Sequence, residues 1–283
     1  MSSLRIPQAP KSIQKGVPLK NLLGQEAVEC LANNIFCVYK DFDAKSFCQL
    51  VLEDLEPLSI MQRSQQFAKV LHQHLPDEYQ KAIDIILASL TEPLSKTEDN
   101  GLAIFFYLPH NSFVARYGVD PRFNHGKDPF EISMKAQYEL TKRFSSEFSI
   151  RPFLIHEQHR TLTRLLEWTS DTDPHVRRLC SEGTRPRLPW AVKIPSFIDD
   201  PSSTLTILET LKDDTCLYVR RSVANHLGDI AKDHLSLVLD ICQKWLVDAS
   251  NDRRWLIRHA LRHPAKKGDD NAIKLRLEAK VLK

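Results

Sequence analysis

Apolar side chains recur along the first ninety residues at the spacing of a helix face, and long alternating apolar/polar runs are absent. Val28, Leu31, Ile35 and Val38 form one stripe, and Phe47, Leu50, Val51 and Leu55 a second. Ile60, Ser64, Phe67, Ala68, Leu71 and Leu75 form a third, which Pro76 stops. Asp77 is placed to cap a fourth helix carrying Tyr79, Ile83, Ile86 and Leu90. The polar run TEPLSKTEDNG (91–101) predicts a loop. A second irregular stretch, GVDPRFNHGKDP (118–129), precedes a long helix starting near Phe130.

The second half repeats itself. DTDPHVRRLCSEG (171–183), DTCLYVRRSVANHLGDI (214–230) and DRRWLIRHALRHP (252–264) each place an Arg six residues after an Asp: Asp171/Arg177, Asp214/Arg220 and Asp252/Arg258. The intervals of 43 and 38 residues match or approach the period of HEAT-type helix pairs. In such a unit the Asp lies in the turn between paired helices and the Arg early in the second helix. The predicted fold is therefore all-α: a HEAT-like repeat α-solenoid over 18–283 with a concave basic groove, 18–100 being N-terminal helices and 101–283 the repeats that carry the groove. Residues 1–17 are expected to be a disordered, mildly basic tail.

Composition narrows the class. The chain has only eight glycines, and no apolar run long enough to span a bilayer. The N-terminus has no apolar core of the secretory type. Six cysteines (Cys30, Cys37, Cys48, Cys180, Cys216, Cys242) form no CxxC pair and no ligand-spaced set with His, so the reading is reduced thiols in a cytosolic protein without a metal. The net charge of +3 conceals an asymmetry: residues 160–283 carry 22 basic against 17 acidic groups, the remainder 17 against 19. The C-terminal half is the one suited to a polyanion. No Gly-rich phosphate loop or GxSxG elbow occurs, and no cofactor is expected.

The repeat separates scaffold from candidate site. Arg177, Arg220 and Arg258 each have a repeat-register Asp and read as structural ion pairs. Arg178 and Arg221 lie about 100° further round the helix, either on a solvated face or against phosphate. Arg178 and Glu182 are an i, i+4 pair, and Arg221, Asn225 and Asp229 an i, i+4, i+8 series. Equivalent second helices of a solenoid stack about 10 Å apart, which would bring Glu182 and Asp229 onto one face. Trp190, after the helix-breaking Gly183 and Pro186, is either a plug between repeats or an aromatic wall for a flat cationic ring. Trp168, Trp245 and Trp255 sit at core positions of helices. His110 is expected to cap a helix.

The sequence resembles the AlkC-type DNA alkylation-repair glycosylases, HEAT-like relatives of AlkD. The resemblance runs through PLKNLL (18–23), FDAKSF (42–47), HLPDEYQKAIDIILASL (74–90), YLPHNSFVARYG (107–118), MKAQYELTKRFSSEFSIRPFL (134–154), DPHVRRLCSEGTRPRLPW (173–190) and LKDDTCLYVRRSVANHLGDIAKDH (211–234). It implies excision of cationic N-alkylated bases, 3-methyladenine and 3-methylcytosine, from duplex DNA. It also implies a catalytic set of Asp229, Glu182, Glu147 and Trp190. Some members carry a C-terminal immunoglobulin-like domain; this sequence ends at Lys283, soon after the last repeat, so DNA affinity is expected to rest on the solenoid.

A base alkylated at N3 is already positive and leaves neutral, so carboxylates that stabilise a cationic deoxyribose suffice. Arg178, Arg185, Arg187, Lys193 and Arg221 are expected at flanking phosphates. The expected partner is damaged duplex DNA, bound by a cytosolic, nucleoid-associated monomer without full base flipping. Two other readings are a DNA-structure-binding HEAT protein without catalysis and a HEAT adaptor for protein partners.

Overall fold

The structure is a computed structural model that describes residues 4–280. Its described residues contain helices and no strand, and they divide into two compact units, Met1–Phe153 and Leu154–Lys283. The division falls at 153/154. No helix among the described residues is long and apolar enough to cross a membrane.

The first unit is built from α1 (Gln25–Val38), α2 (Ala44–Leu52), α3 (Ile60–His74), α4 (Tyr79–Ala88), α5 (Leu108–Tyr117) and α6 (Phe130–Thr141). The stripes bury as expected: Val28, Leu31 and Ile35 on α1, and Phe67, Ala68 and Leu71 on α3. Val38 and Leu50, at the stripe margins, remain exposed. Asp43 caps α2 by accepting from the Ser46 amide (2.9 Å), and Ser59 with Gln62 forms a capping box on α3. The fourth helix starts one residue later than expected, with Glu78 rather than Asp77 at its N-cap position.

Residues 4–10 run without helix or strand beside α1, and a turn follows at 15–16. The Arg5 carbonyl accepts from Asn34 Nδ2 (2.8 Å) and the Cys30 thiol, and the Pro10 carbonyl accepts from the Leu102 amide (3.0 Å). The tail's few apolar groups and its backbone find partners that its polar composition does not announce. Residues 1–3 of the expected tail lie outside the described residues. His110 does not cap: it is buried inside α5, where desolvation pushes its pKa down to about 3.

In the second unit, α7 (Ile150–His156) having crossed the division, three helix pairs follow: α8 (Gln158–Trp168) with α9 (Pro174–Glu182), α11 (Ser202–Leu211) with α12 (Leu217–Ile230), and α13 (Leu235–Leu246) with α14 (Asn251–Ala260). The short α10 (Pro195–Asp199) precedes α11, and α15 (Arg262–Lys266) and α16 (Asp270–Glu278) follow α14. The second helices pack in order, α9 on α12 and α12 on α14. This is the HEAT-like arrangement that the repeat implied. The buried stripes are Val176, Leu179 and Cys180 on α9, Val219, Val223 and Leu227 on α12, and Leu256, Ile257 and Ala260 on α14.

The Asp–Arg repeat ties one helix pair to the next. Arg177 donates to the carbonyls of Asp171 (2.8 Å) and Thr172 (3.0 Å) in its own turn, and through Nε (2.6 Å) and Nη2 (3.1 Å) to the Asp214 carboxylate of the following repeat. Arg220 repeats this one step on, donating to the Asp214 carbonyl (2.6 Å) and pairing with Asp252 (2.9 Å). Arg258 has no following Asp in register and donates to the Ala279 carbonyl (2.6 Å) instead. The core assignment of the tryptophans holds only for Trp245; Trp168 is half-buried, and Trp255 is half-buried and stacks on His259 at 4.9 Å.

Removing Arg177 leaves Asp214, whose side chain is 4 % exposed, as a buried carboxylate without its main partner. Arg177→Met is therefore expected to destabilise the protein by about 3 kcal/mol in urea unfolding. Asp252→Asn, at a carboxylate 63 % exposed, is expected to cost under about 1 kcal/mol.

Candidate active site

The helix α9 stops at Glu182 for reasons legible in its last residues. Gly183 takes the C-cap, the Thr184 hydroxyl donates back to the Cys180 carbonyl (2.7 Å), and Pro186 has no amide to continue the ladder. The chain then turns across the ends of α9 and α12. This puts Glu182 at a helix end, 5 % exposed, against Ser222 of α12, while Asp229, 3 % exposed, lies in the last turn of α12.

Arg185 lies between them. Its Nη1 donates to Glu182 Oε1 (2.6 Å) and its Nε to Asp229 Oδ2 (2.8 Å). Each carboxylate has further donors. Glu182 Oε2 accepts from Ser222 Oγ (2.6 Å), Arg178 stands 3.4 Å from Glu182 Oε1, and Asp229 Oδ1 accepts from Lys232 Nζ (2.7 Å). Burial alone would raise the pKa of Glu182. Arg178 and Arg185, with the hydrogen bonds from Ser222 and Arg185, outweigh it and hold the carboxyl below its usual range. Burial likewise disfavours the Arg185 cation, but Glu182 and Asp229 together raise its pKa. The site thus holds Glu182 ionised at neutral pH in a setting nearly closed to water.

On α12, Ser222, His226 and Asp229 follow one another at i, i+4 and i+7, a polar stripe turned toward α9. His226 is fully buried and donates from Nδ1 to the Ser181 carbonyl (3.0 Å). Burial, and then the nearby Arg185 charge, pull its pKa down to about 4, so the ring is neutral at pH 7. Asn225, grouped with Asp229 by sequence spacing, instead faces α14 and α15 and accepts from His259 Nε2 (3.2 Å) and Arg262 Nη2 (3.0 Å). Ser222, His226, Lys232 and Arg262 are site neighbours that the sequence reading missed. The i, i+4, i+7 spacing of Ser222, His226 and Asp229 was the available signal.

Trp190 is not a plug between repeats. Leu188 and Ile194 are buried on either side of it, and the Ile194 amide closes the loop on the Pro186 carbonyl (3.2 Å). Between these anchors Trp190 is held at φ +65° and is 63 % exposed. A non-glycine residue in the left-handed region costs free energy, and here the anchored loop imposes it. The result is a large indole presented to solvent by a fixed loop eight residues after Glu182.

The cations sort differently from the sequence expectation. Arg185 is buried between carboxylates and is not placed for phosphate. Arg187 makes a two-point ion pair with Asp233 (2.8 and 2.9 Å), and Arg178 is shared between Glu182 and the Tyr218 ring, 4.8 Å from its centroid. Lys193 and Arg221 are exposed and make no hydrogen bond or ion pair among the described residues. Glu147 lies in the first unit, half-buried in the turn between α6 and α7. Among the described residues no group of three His, Cys, Asp or Glu side chains is arranged to hold a metal ion.

No protein-family model matches the chain. The chain is 37% identical over 258 residues to the uncharacterized protein YhaZ of Bacillus subtilis (strain 168), the match covering 91% of this chain and 67% of YhaZ. Among solved structures, it resembles Pseudomonas fluorescens alkylpurine DNA glycosylase AlkC bound to DNA containing an abasic site analog. That likeness has a TM-score of 0.81 at 37% identity, covering 92% of this chain and 67% of that one.

The lowered pKa of Glu182 has a signed consequence. A carboxyl whose folded pKa is depressed contributes stability that is present above its unfolded value, about 4.5, and is lost as pH falls through the folded value. The Tm difference between wild type and Glu182→Gln is therefore expected to be largest near neutral pH and to shrink below about pH 4.5, measured by thermal melts across pH 3–7.

Proposed function

The chain belongs to the AlkC family of alkylation-repair DNA glycosylases, and from that premise we propose that it hydrolyses the N-glycosidic bond of cationic N3-alkylated bases, 3-methyladenine and 3-methylcytosine, in duplex DNA. The observation that carries this reading is the pair of buried carboxylates, Glu182 and Asp229, clamped on one guanidinium. A second reading as a protein adaptor has no use for carboxylates so placed.

The chemistry asks for little beyond charge. As the bond from C1′ to the base nitrogen lengthens, its electron pair goes to the base, which leaves neutral, and positive charge grows on the deoxyribose. A carboxylate at about 4 Å in an effective dielectric near 20 stabilises that charge by about 4 kcal/mol. Since the charge develops in the transition state, most of this appears in the rate, about a thousandfold. Water then adds to C1′, and its proton passes to a carboxylate or to solvent. Asp229 is assigned to the developing charge and to the water. Glu182 supports it, held ionised by Arg178 and Arg185. Glu147 is assigned to the sugar or the lesion, in keeping with the family set.

Trp190 supplies discrimination. An exposed indole face attracts a cationic heterocycle and gains nothing comparable from a neutral base. The attraction is worth about 2 kcal/mol where water is excluded, or about thirtyfold. Contact from the sugar side requires a bent duplex but not extrusion of the base from the stack. Lys193 and Arg221 are the cations left exposed for flanking phosphates, and Arg178 and Arg187 can reach them only by loosening their present ion pairs.

The deciding measurement is base release from methylated duplex DNA. Wild type is expected to release 3-methyladenine, and Asp229→Asn to lower the single-turnover rate about a thousandfold. A wild type that binds DNA in a salt-dependent manner without releasing a base would replace this reading with a DNA-binding one. Trp190→Ala is expected to reduce the preference for cationic over neutral lesions about thirtyfold while leaving binding to undamaged duplex within a few fold.

A further inference from the structure

In the third repeat the chemistry of the second-helix layer changes sign. The position five residues after the ladder Arg runs Glu182, Asn225, His263, the last of them in α15: acidic, neutral, then basic. His263 opens onto a cavity of about 430 Å³ at the C-terminal end of α12, also lined by Gly228, Lys232, Lys267, Gly268 and Asp269. Asp269 lines the cavity, but its carboxylate is committed to α16, accepting from the Ala272 amide (2.8 Å). His263 and Lys267 make no side-chain hydrogen bond or ion pair among the described residues, and Lys266 and Arg262 lie beside them in the same turn. Burial and these surrounding cations, Arg262, Lys232, Lys266 and Lys267, lower the pKa of His263, which an anion in the cavity would relieve.

One of the cavity's cations is also a ligand of the catalytic pair. Both Asp229 oxygens are held, but unequally. Arg185 on Oδ2 is buried and fixed by Glu182 as well, whereas Lys232 on Oδ1 is 50 % exposed on a flexible stem. Only Lys232 can leave without opening a buried contact, and the cavity it lines is where an anion would draw it.

We propose that this cavity seats a backbone phosphate of duplex DNA on Lys232, His263 and Lys267, and that Lys232 moves from Asp229 to that phosphate, freeing Asp229 Oδ1 for the lesion. The first half of this concerns DNA binding alone; the second rests on the glycosylase reading. The seat couples a correctly placed duplex to exposure of the carboxylate, so that Asp229 is offered only when DNA is bound.

The test combines protein variants with single methylphosphonate linkages, which remove one phosphate charge. On undamaged duplex, Lys267→Ala and Lys232→Met are each expected to reduce the slope of log K against log salt by about 0.9, so that affinity falls about threefold less between 50 and 200 mM salt. At one methylphosphonate position wild type should lose affinity and the two variants should lose no more. Unchanged slopes, or losses that add at every position, overturn the seat. In single-turnover excision at saturating DNA, the same methylphosphonate should slow wild type, because Lys232 then stays on Asp229, and should not slow Lys232→Met further. Equal slowing of both, or of neither, overturns the transfer. A wild type that releases no base defeats the glycosylase reading and the transfer together, while the salt slopes still decide the seat.

Discussion

Glu182 and Asp229 meet because α9 and α12 are held in register, and the Arg177–Asp214 pair at the opposite ends of those helices holds them there. Arg177 binds two carbonyls of its own turn and both carboxylate oxygens of the next, so neither helix can slide by a residue without breaking charged hydrogen bonds. Such a slip would rotate Glu182 about 100° away from Arg185. The ladder is thus a condition for the site, although it touches none of the site's side chains. Arg220 passes the same constraint on to α14, which brings Arg262 and His259 against Asn225.

The site itself is an unusual use of buried charge. Burial by itself would favour a protonated Glu182, and Arg178, Arg185 and the Ser222 hydroxyl outweigh it. Arg185 also donates to Asp229, whose other oxygen accepts from Lys232. What results is a preorganised anionic pair whose orientation costs nothing further when a cation appears beside it. The neutral His226 packed beneath adds a hydrogen bond to the α9 backbone without adding charge. Trp190 is presented to solvent at the expense of a strained backbone, with Leu188 and Ile194 buried to hold the strain.

Much of this was legible in the chain. The stripes on α1 and α3, the loops at 91–101 and 118–129, the helix pairs and the Asp–Arg ladder follow from spacing alone, since each depends on neighbours within one or two turns or on a repeat that announces its own period. The contacts of Arg5 with the Asn34 amide and the Cys30 thiol of α1 were not legible, because those partners lie far along the chain from it. His110 was misread because a polar residue near a helix start suggests a cap, and only packing shows that it is inside.

By itself the sequence determined the helices, the HEAT-like repeat and the family. Tertiary structure alone decided which cations hold carboxylates and which remain for a polyanion. Arg185 reaches Asp229 across 44 residues and Arg187 reaches Asp233 across 46, whereas Arg221, which looks the same in the sequence, makes no ion pair among the described residues. Periodicity tells which side of a helix a residue occupies. It does not tell what stands opposite, because that depends on the distance and rotation between helices, which the packed core sets.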